Sequence, residues 1–583
     1  MITINNLKKS FLVLFAVTFT LVSCKDDFLN VPPTGSLANA QVATKAGVEG
    51  LLIGAYSALG VKGFTQAAAP NQWVWGSILG GEANKGTDPG DFSSINPYQR
   101  YETAAIAGDV NGTWLARYEG VARTNGVLRL LAQAKDVLDA DKKRIAGEAR
   151  FLRGYYYFDL QRMFNKVPYV DEATDDAAAG KVKNTANWDK IEADFKFAYD
   201  NLPDVQGQAG RANKWAAAAH LAKAYLYQKK FTEAKALLTT IMTPGNGKTT
   251  NGKAYGLVPN YAQIFNAAND NHEESVFAVQ SAINTGSVAN SNSWDVLNYP
   301  YNTGPDGPGN CCGFFQPSFA LVNAFRTDAT GLPLLDGSYN TGANQVVNDY
   351  GVESSTTTYV ADAGNLDPRL DHSVGRRSIP YLDWIAHPGK NWIRSQPYAG
   401  PYSPKKYVYY KSQENTLTDG SGWTRGYSVM NYTIIRYADV LLWAAEAEIE
   451  VGSVEAARLL INQIRKRAAN SDFWVKKGTA NAAKYVISEY PAAGWDKAKA
   501  TAALRMERML ELSGEGHRFF DLVRWGIAAT ELNTYLAYEG ASSRLVTKFG
   551  GAKFTAGKSE YLPIPQPQID ISGKDVLTQN PGY

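Results

Sequence analysis

The chain has 583 residues, 45% of them hydrophobic and 12% aromatic, and 59 Lys and Arg stand against 56 Asp and Glu for a net charge of +3. So small a charge on so large a body excludes general attraction of polyanions, nucleic acid above all, and the length exceeds what one hydrophobic core usually holds, which calls for several subdomains or one extended helical array. Of three cysteines two are adjacent, Cys311 and Cys312, so no long-range disulfide framework exists and stability must come from packing.

The start of the chain decides where the rest works. Lys8 and Lys9 precede a short, mostly apolar run from Phe11 to Val22, the charge-then-apolar order of an export signal and too short for a spanning helix. Leu21-Val22-Ser23-Cys24 resembles the lipobox of a bacterial lipoprotein, which implies a signal peptide over residues 1–23, acylation of Cys24 and anchoring by lipid. Ordinary secretory cleavage beside an incidental cysteine is the alternative. Lys25-Asp26-Asp27 is similar to the signal that displays Bacteroidetes lipoproteins on the outer face of the outer membrane. Each buried methylene of an acyl chain contributes about 0.8 kcal/mol, so two or more chains anchor stably where one would not. Beyond Cys24 no uncharged apolar run approaches the eighteen or so residues of a membrane span.

The elements follow in order. Phe28 to Ala40, with Pro32 and Pro33, reads as an extended lead, and Ala43 to Leu59 has helical spacing. Pro70 to Tyr101 is rich in Gly, Asn, Trp and Asp and reads as a long structured loop. Trp114 to Ala134 and Asp141 to Phe164 are amphipathic helices that pack as an antiparallel pair. Trp188 to Asn201 is a third, and Lys214 to Gln228 with Phe231 to Met242 form an αα-hairpin. Leu221 to Leu238 returns with related spacing at Trp443 to Leu460, the pattern of tetratricopeptide-like pairs, which bury their apolar faces only by stacking. The region 24–242 is therefore an N-terminal helical scaffold. The excursion 243–433 is dense in Gly, Pro, Asn, Ser and Tyr, too aromatic for disorder; it reads as an irregular subdomain laid on the helices, with strand-like runs at Ser275 to Gln280 and Tyr407 to Tyr410 and a short helix at Pro317 to Phe325. Helices resume over 434–583, at Arg436 to Glu450, Val454 to Ala468, Thr501 to Ser513 and Phe519 to Leu532. The Tyr561 to Pro565 tail is not helix. The fold class is mainly α, helical pairs carrying a loop-rich subdomain.

Arg505-Met506-Glu507-Arg508-Met509-Leu510-Glu511-Leu512 and Glu515-Gly516-His517-Arg518-Phe519-Phe520-Asp521-Leu522-Val523-Arg524 join Arg436-Tyr437-Ala438-Asp439-Val440-Leu441-Leu442, Asp367-Pro368-Arg369-Leu370 and the closing Gln579-Asn580-Pro581-Gly582-Tyr583. Together these blocks resemble the RagB/SusD family of outer-membrane nutrient-binding lipoproteins, over essentially the whole mature chain. The resemblance implies a tetratricopeptide-type scaffold, glycan or other nutrient binding at the cell surface, and pairing with a SusC-like TonB-dependent transporter. Read as charges alone, Glu515, Arg518, Asp521 and Arg524 recur every third residue, share a helix face and pair in series; with Arg505, Glu507, Arg508 and Glu511 they lock helix to helix.

No motif calls for a cofactor, a metal or catalysis: the five histidines lack zinc-ligand spacing and no nucleophile elbow or phosphate loop is present. Asp270 to Glu274 reads as an exposed acidic turn, with calcium binding as the alternative. Capture of sugars needs flat rings for C–H faces and amides or charges at the edge, on loops. Two loops qualify. One bears Trp73, Trp75 and Asn84, and the other, Trp294 to Phe315, bears Tyr299, Tyr301, Asn302, Asp306, Asn310 and Phe314. For any single Trp, a place in the core is the alternative. Cys311 and Cys312 form either a vicinal disulfide, an apolar bump beside Phe314, or two free thiols. The reading is a surface glycan-capturing lipoprotein, with a surface glycoside hydrolase and an adhesin or scaffold as alternatives.

Overall fold

The computed structural model describes residues 42–61 and 63–583, so the leader, the Cys24 anchor and the Phe28 to Ala40 lead lie outside the described residues. Eleven helices carry the scaffold. The first, α1 (Lys45–Ser57), is capped by Thr44, whose hydroxyl accepts from the Gly47 N–H at 3.2 Å. Then come α2 (Gly108–Gln133), α3 (Asp139–Phe164), α4 (Trp188–Asn201), α5 (Lys214–Tyr227) and α6 (Phe231–Met242). After the excursion the chain returns as α7 (Tyr437–Val451), α8 (Val454–Ala468), α9 (Lys497–Glu511), α10 (Arg518–Arg524) and α11 (Ala528–Glu539). Among the described residues no helix is long and apolar enough to cross a membrane.

Helices α1 to α6 each pack on the next, as do α7, α8 and α9, and α6 lies against α7. The α5–α6 and α7–α8 hairpins that share a sequence pattern are therefore stacked neighbours despite the long excursion between them. Small residues make this possible: Ala216 to Ala219, Ala222 and Ala224 leave α5 buried nearly all round. One core runs from Val48 to Leu577, drawing on helices, excursion and tail alike. A second fills the α7–α8–α9 interface with Leu441, Ile461, Ile464 and Leu504. A third, of Tyr299, Tyr381, Trp384, Trp392 and Tyr409, sits inside the excursion.

Three departures from the sequence reading stand out. The Pro70 to Tyr101 stretch is not loop throughout: it contains a π-type turn at Trp73–Ile78 and the strand β1 (Ala83–Gly86). Tyr407 to Tyr410 forms no strand; Tyr409 Oη donates to the Pro308 carbonyl at 2.7 Å, and the Tyr407 ring packs edge-on against Phe265. The Phe519 to Leu532 run breaks at Gly526, in the left-handed region at φ 73°, into α10 and α11. Tyr561 to Pro565 is not helix, as expected; after it a short helix, Gln566–Ser572, begins with proline in its first turn, and the tail is stitched to the end of α3 by the Leu562 N–H on the Met163 carbonyl at 2.7 Å. The longer strands besides β1 are β2 (Ser275–Val279), paired with β4 (Tyr432–Arg436), and β3 (Phe314–Pro317), paired with β1; four further pairs among the described residues are of two-residue strands.

The charged C-terminal blocks form a buried network. Glu511 receives Arg369 at 3.2 Å, Arg436 at 2.6 Å and Arg467; Glu515 receives Lys406 at 2.7 Å and Arg436 at 2.8 Å. Arg508 joins Asp521 at 2.7 Å to Asp439 at 3.1 Å, and Arg524 joins Asp521 at 2.9 Å to Glu446 at 2.5 Å. These bonds tie α9 and α10 to α7 and to the excursion. Glu515 does not pair with Arg518, because it lies in the turn before α10 and faces the interior; Arg518 reaches Glu531 at 3.5 Å, and Arg505 lies over the Trp525 ring. The Asp270 to Glu274 turn is not an exposed acidic surface. Its Glu274 binds Arg436 and Arg467 in the core, and burial pushes the Asp270 carboxyl up to about 7. Among the described residues no group of three or more His, Cys, Asp and Glu side chains is placed to hold a metal ion.

Candidate functional site

The antiparallel β1–β3 pair sets the site. Ala83 faces Pro317, Asn84 faces Gln316 and Gly86 faces Phe314, and the Thr87 N–H donates to the Gly313 carbonyl at 2.6 Å. This short ladder brings together the two loops that the sequence singled out, one leaving β1 at residues 87–92 and the other entering β3 from residues 301–313.

Most of the predicted contact residues lie beneath this junction and not on it. Trp73 and Trp75 are each 1% exposed. Trp73 donates its indole N–H to the Gln66 carbonyl at 3.2 Å and meets Phe314 and Phe315 edge-on; Trp75 donates to Thr113 Oγ1 at 3.0 Å and packs on Tyr98. Asn84 donates to the Ala399 carbonyl at 3.0 Å and accepts from Lys548 Nζ at 2.6 Å. Tyr299 Oη donates to the Gly426 carbonyl at 2.8 Å, and Phe314 is fully covered. Each polar edge is satisfied inside the protein, the usual condition for a buried aromatic, so these five side chains are core and present no face to a ligand here. Trp294 is 4% exposed and borders a separate cavity.

The tip of the second loop is open. Tyr301 and Cys311 are half-buried, Asn302, Asp306 and Asn310 are exposed, and Cys311 is joined to Cys312 as a vicinal disulfide. Facing them stand residues that the sequence reading passed over. Phe92, 43% exposed, rests edge-on against Phe314 with ring centroids 5.4 Å apart. Arg394 lies over the Tyr301 ring at 5.4 Å and binds Asp88 at 2.7 Å, Asp91 at 2.5 Å and Thr87 Oγ1 at 3.0 Å. Lys85 Nζ donates from below to the Asp88 and Asp91 carbonyls, at 2.8 and 2.5 Å. Arg425 grips the Gly304 and Gly307 carbonyls, and Trp423, two residues before it, is 65% exposed. Phe92 and Asn302 both have left-handed backbone, φ 43° and 45°, an uncommon conformation for side chains of this kind and one that collects at ligand clamps. The Asp88-Pro89-Gly90 turn was a signal for Phe92, since it marks a loop tip. Nothing in the sequence pointed to Arg394, which meets Asp88 only across some three hundred residues of chain.

The rim thus offers apolar surfaces, amides and hydroxyls, while its cation is taken up by Asp88 and Asp91. Burial opposes ionisation of Asp88, but the N–H groups of Asp91 and Gly90 with the Arg394 guanidinium hold its carboxyl below the usual range. It is ill suited to keep a proton for a leaving group.

The profile described as the SusD family matches residues 273–583, and one described as "Starch-binding associating with outer membrane" matches residues 28–226. SusD-like protein P2 of Formosa agariphila is 24% identical over 596 residues, covering 99% of this chain and 100% of the relative. A SusD superfamily protein from Bacteroides vulgatus superposes with a TM-score of 0.67 at 21% identity, over 92% of this chain and 99% of that one. Surface glycan-binding protein A from Bacteroides thetaiotaomicron, solved with laminarihexaose, superposes at 0.63 and 20% identity, over 92% of this chain and 99% of that one. The helical scaffold carrying a loop-rich excursion is thus the fold of a known class of proteins. The chain belongs to the SusD family.

Proposed function

We propose that this protein is a lipid-anchored lipoprotein of the outer membrane, facing the cell exterior, that captures oligosaccharides at the 87–92 and 301–312 rim and delivers them to a SusC-like TonB-dependent transporter without cleaving them. The observation that carries the reading is the rim itself: Phe92 is exposed, and Tyr301 and Cys311 are half-exposed, with an arginine paired to two carboxylates over the Tyr301 ring. Rings of this kind cover the C–H faces of a pyranose, at on the order of 1.5 kcal/mol for about 60 Å² of apolar surface covered, and a few such contacts suit weak capture followed by release. The pairing of Arg394 with Asp88 and Asp91 favours a neutral glycan over an acidic one, since a carboxylate or sulfate would have to compete with two carboxylates already in place. The starch-binding description of the family profile and the laminarihexaose-bound neighbour support a neutral glucan. The excursion, residues 243–433, is on this reading the ligand face laid on the helices.

The test is calorimetric titration of the purified chain with maltohexaose and laminarihexaose, with product analysis on the same mixtures. Binding of either sugar, weakened in Phe92→Ala and Tyr301→Ala, is expected. Equal affinity in both variants would move the site elsewhere, and released shorter sugars would make the protein a hydrolase.

A further inference from the structure

We propose that Asn84 and Lys548 become joined by an isopeptide bond: the ε-amine of Lys548 takes the place of the side-chain nitrogen of Asn84, and ammonia leaves. Strand β1 is thereby stapled to the short helix Val546–Phe549, a covalent closure over 464 positions of a chain that has no long-range disulfide framework. The inference does not depend on what the rim binds.

Three observations bring the reacting groups together. First, Lys548 is a buried lysine without an ion-pair partner among the described residues. It is 3% exposed, its Nζ lies 3.9 Å from the centre of the Tyr398 ring, and its hydrogen bond goes to the neutral Asn84 Oδ1 at 2.6 Å. An ammonium in such a place is costly. Burial, aided by the charge of Lys85 over the same ring, holds the amine well below its ordinary range, and the neutral amine is the form that acts as a nucleophile. Second, the electrophile is near and polarised. A carbonyl bond is about 1.2 Å long, so the 2.6 Å hydrogen bond puts Asn84 Cγ within about 3.8 Å of Nζ, close to the separation at which such atoms react. The Gly86 N–H donates to the same Oδ1 at 2.9 Å, where negative charge develops during attack. Nδ2, the nitrogen that leaves, donates to the Ala399 carbonyl at 3.0 Å. Third, an acid is at hand. Glu539 is buried within electrostatic reach of Lys548, one of its oxygens accepts from the Ala320 N–H at 2.8 Å, and burial raises its carboxyl to about 7. A carboxyl with that value is suited to moving protons at neutral pH.

The step balances without a co-reactant. Nζ attacks Cγ, the bond from Cγ to Nδ2 breaks, and the proton that Nζ sheds passes by way of Glu539 to the departing nitrogen, which leaves as ammonia. A neutral secondary amide replaces the buried amine. Like a disulfide the closure restricts the unfolded chain, but no reductant opens it.

The experiment is tryptic peptide mapping of the purified whole chain by mass spectrometry. Wild type should give one peptide in which the segment containing Asn84 is joined to an uncut segment through Lys548, lighter than its two parts by one ammonia. That species should be absent in Lys548→Arg and Asn84→Ala and reduced at least tenfold in Glu539→Gln. Wild type alone decides if a variant fails to fold: recovery of the Asn84 and Lys548 segments separately, each at full mass, would overturn the proposal. Ammonia lost at Asn84 while trypsin still cuts after Lys548 would overturn it too, because Asn84 would then have cyclised onto its own backbone. Full linkage in Glu539→Gln would overturn the proton path through Glu539.

Discussion

Phe92 and Phe314 meet edge-on, so that the covered ring props the open one. Phe92→Ala should therefore cost binding and not folding: about 1–3 kcal/mol of glycan affinity by calorimetry, with little change in melting temperature. Trp75→Ala should do the opposite and lower stability by about 3–5 kcal/mol in denaturant titration, because its ring is enclosed and its N–H is spent on Thr113. In the sequence these two aromatics look alike. Composition and loop context pointed to the two loops that the β1–β3 ladder joins, but which ring faces out depends on that ladder and on partners such as Tyr98 and Thr113, which local spacing does not encode. Glu82 supplies a pH test at the same scale. Burial, opposed by the Ser77 hydroxyl and the Gly514 N–H, raises its carboxyl to about 7. A folded value above the unfolded one means that the stability it contributes is full below the ordinary carboxylate range and is lost as pH rises toward 7. Glu82→Gln should flatten the fall in melting temperature over that interval; an unchanged slope would assign the fall to other groups.

At the scale of elements, the Trp73–Ile78 turn is fixed by a backbone-to-backbone approach. A Cβ on Gly76 would stand 2.0 Å from the Gly516 carbonyl oxygen, and Gly516 itself has φ 77° and donates its N–H to Ser77 Oγ at 3.0 Å. Neither glycine has an alternative. Gly76→Ala should destabilise the fold by about 1–3 kcal/mol or more, read as a shifted denaturation midpoint, and should weaken glycan binding as β1 is displaced. This contact also shows where legibility ended. Val454 to Ala468 was readable to the residue, since a single apolar stripe over a charged face needs no distant partner. The π-type turn was not, because what holds it is a glycine more than four hundred positions away. The pairing of Glu515 failed for a related reason: periodicity put it on a helix face with Arg518, whereas Gly514 and Gly516, both left-handed, end the helix on either side of it.

For the whole molecule, the proposed role requires an anchor and a conduit. Cys24→Ala should release the protein from the membrane fraction; retention there would mean a second anchor. A tagged chain extracted in mild detergent from cells grown on the inducing glycan should bring a TonB-dependent barrel with it. Recovery of the chain alone, with uptake unaffected by its deletion, would favour the adhesin reading. The stacking of α6 on α7 has a further consequence, one of order in time. Ala234, Leu238 and Ile241 on α6 are covered in the finished protein, and α7, which packs on α6 beside α5, lies far downstream, beyond the whole excursion. Until that helix has been synthesised and exported, the first half of the chain keeps an apolar flank open. Contacts so distant in sequence slow folding and leave intermediates prone to aggregate, so export would depend on a holding factor that shields the waiting half. A fragment spanning residues 42–242 should accordingly bind a hydrophobic dye and lack near-ultraviolet circular dichroism while retaining helix; a fragment with sharp cooperative melting would show that the first half closes its core unaided.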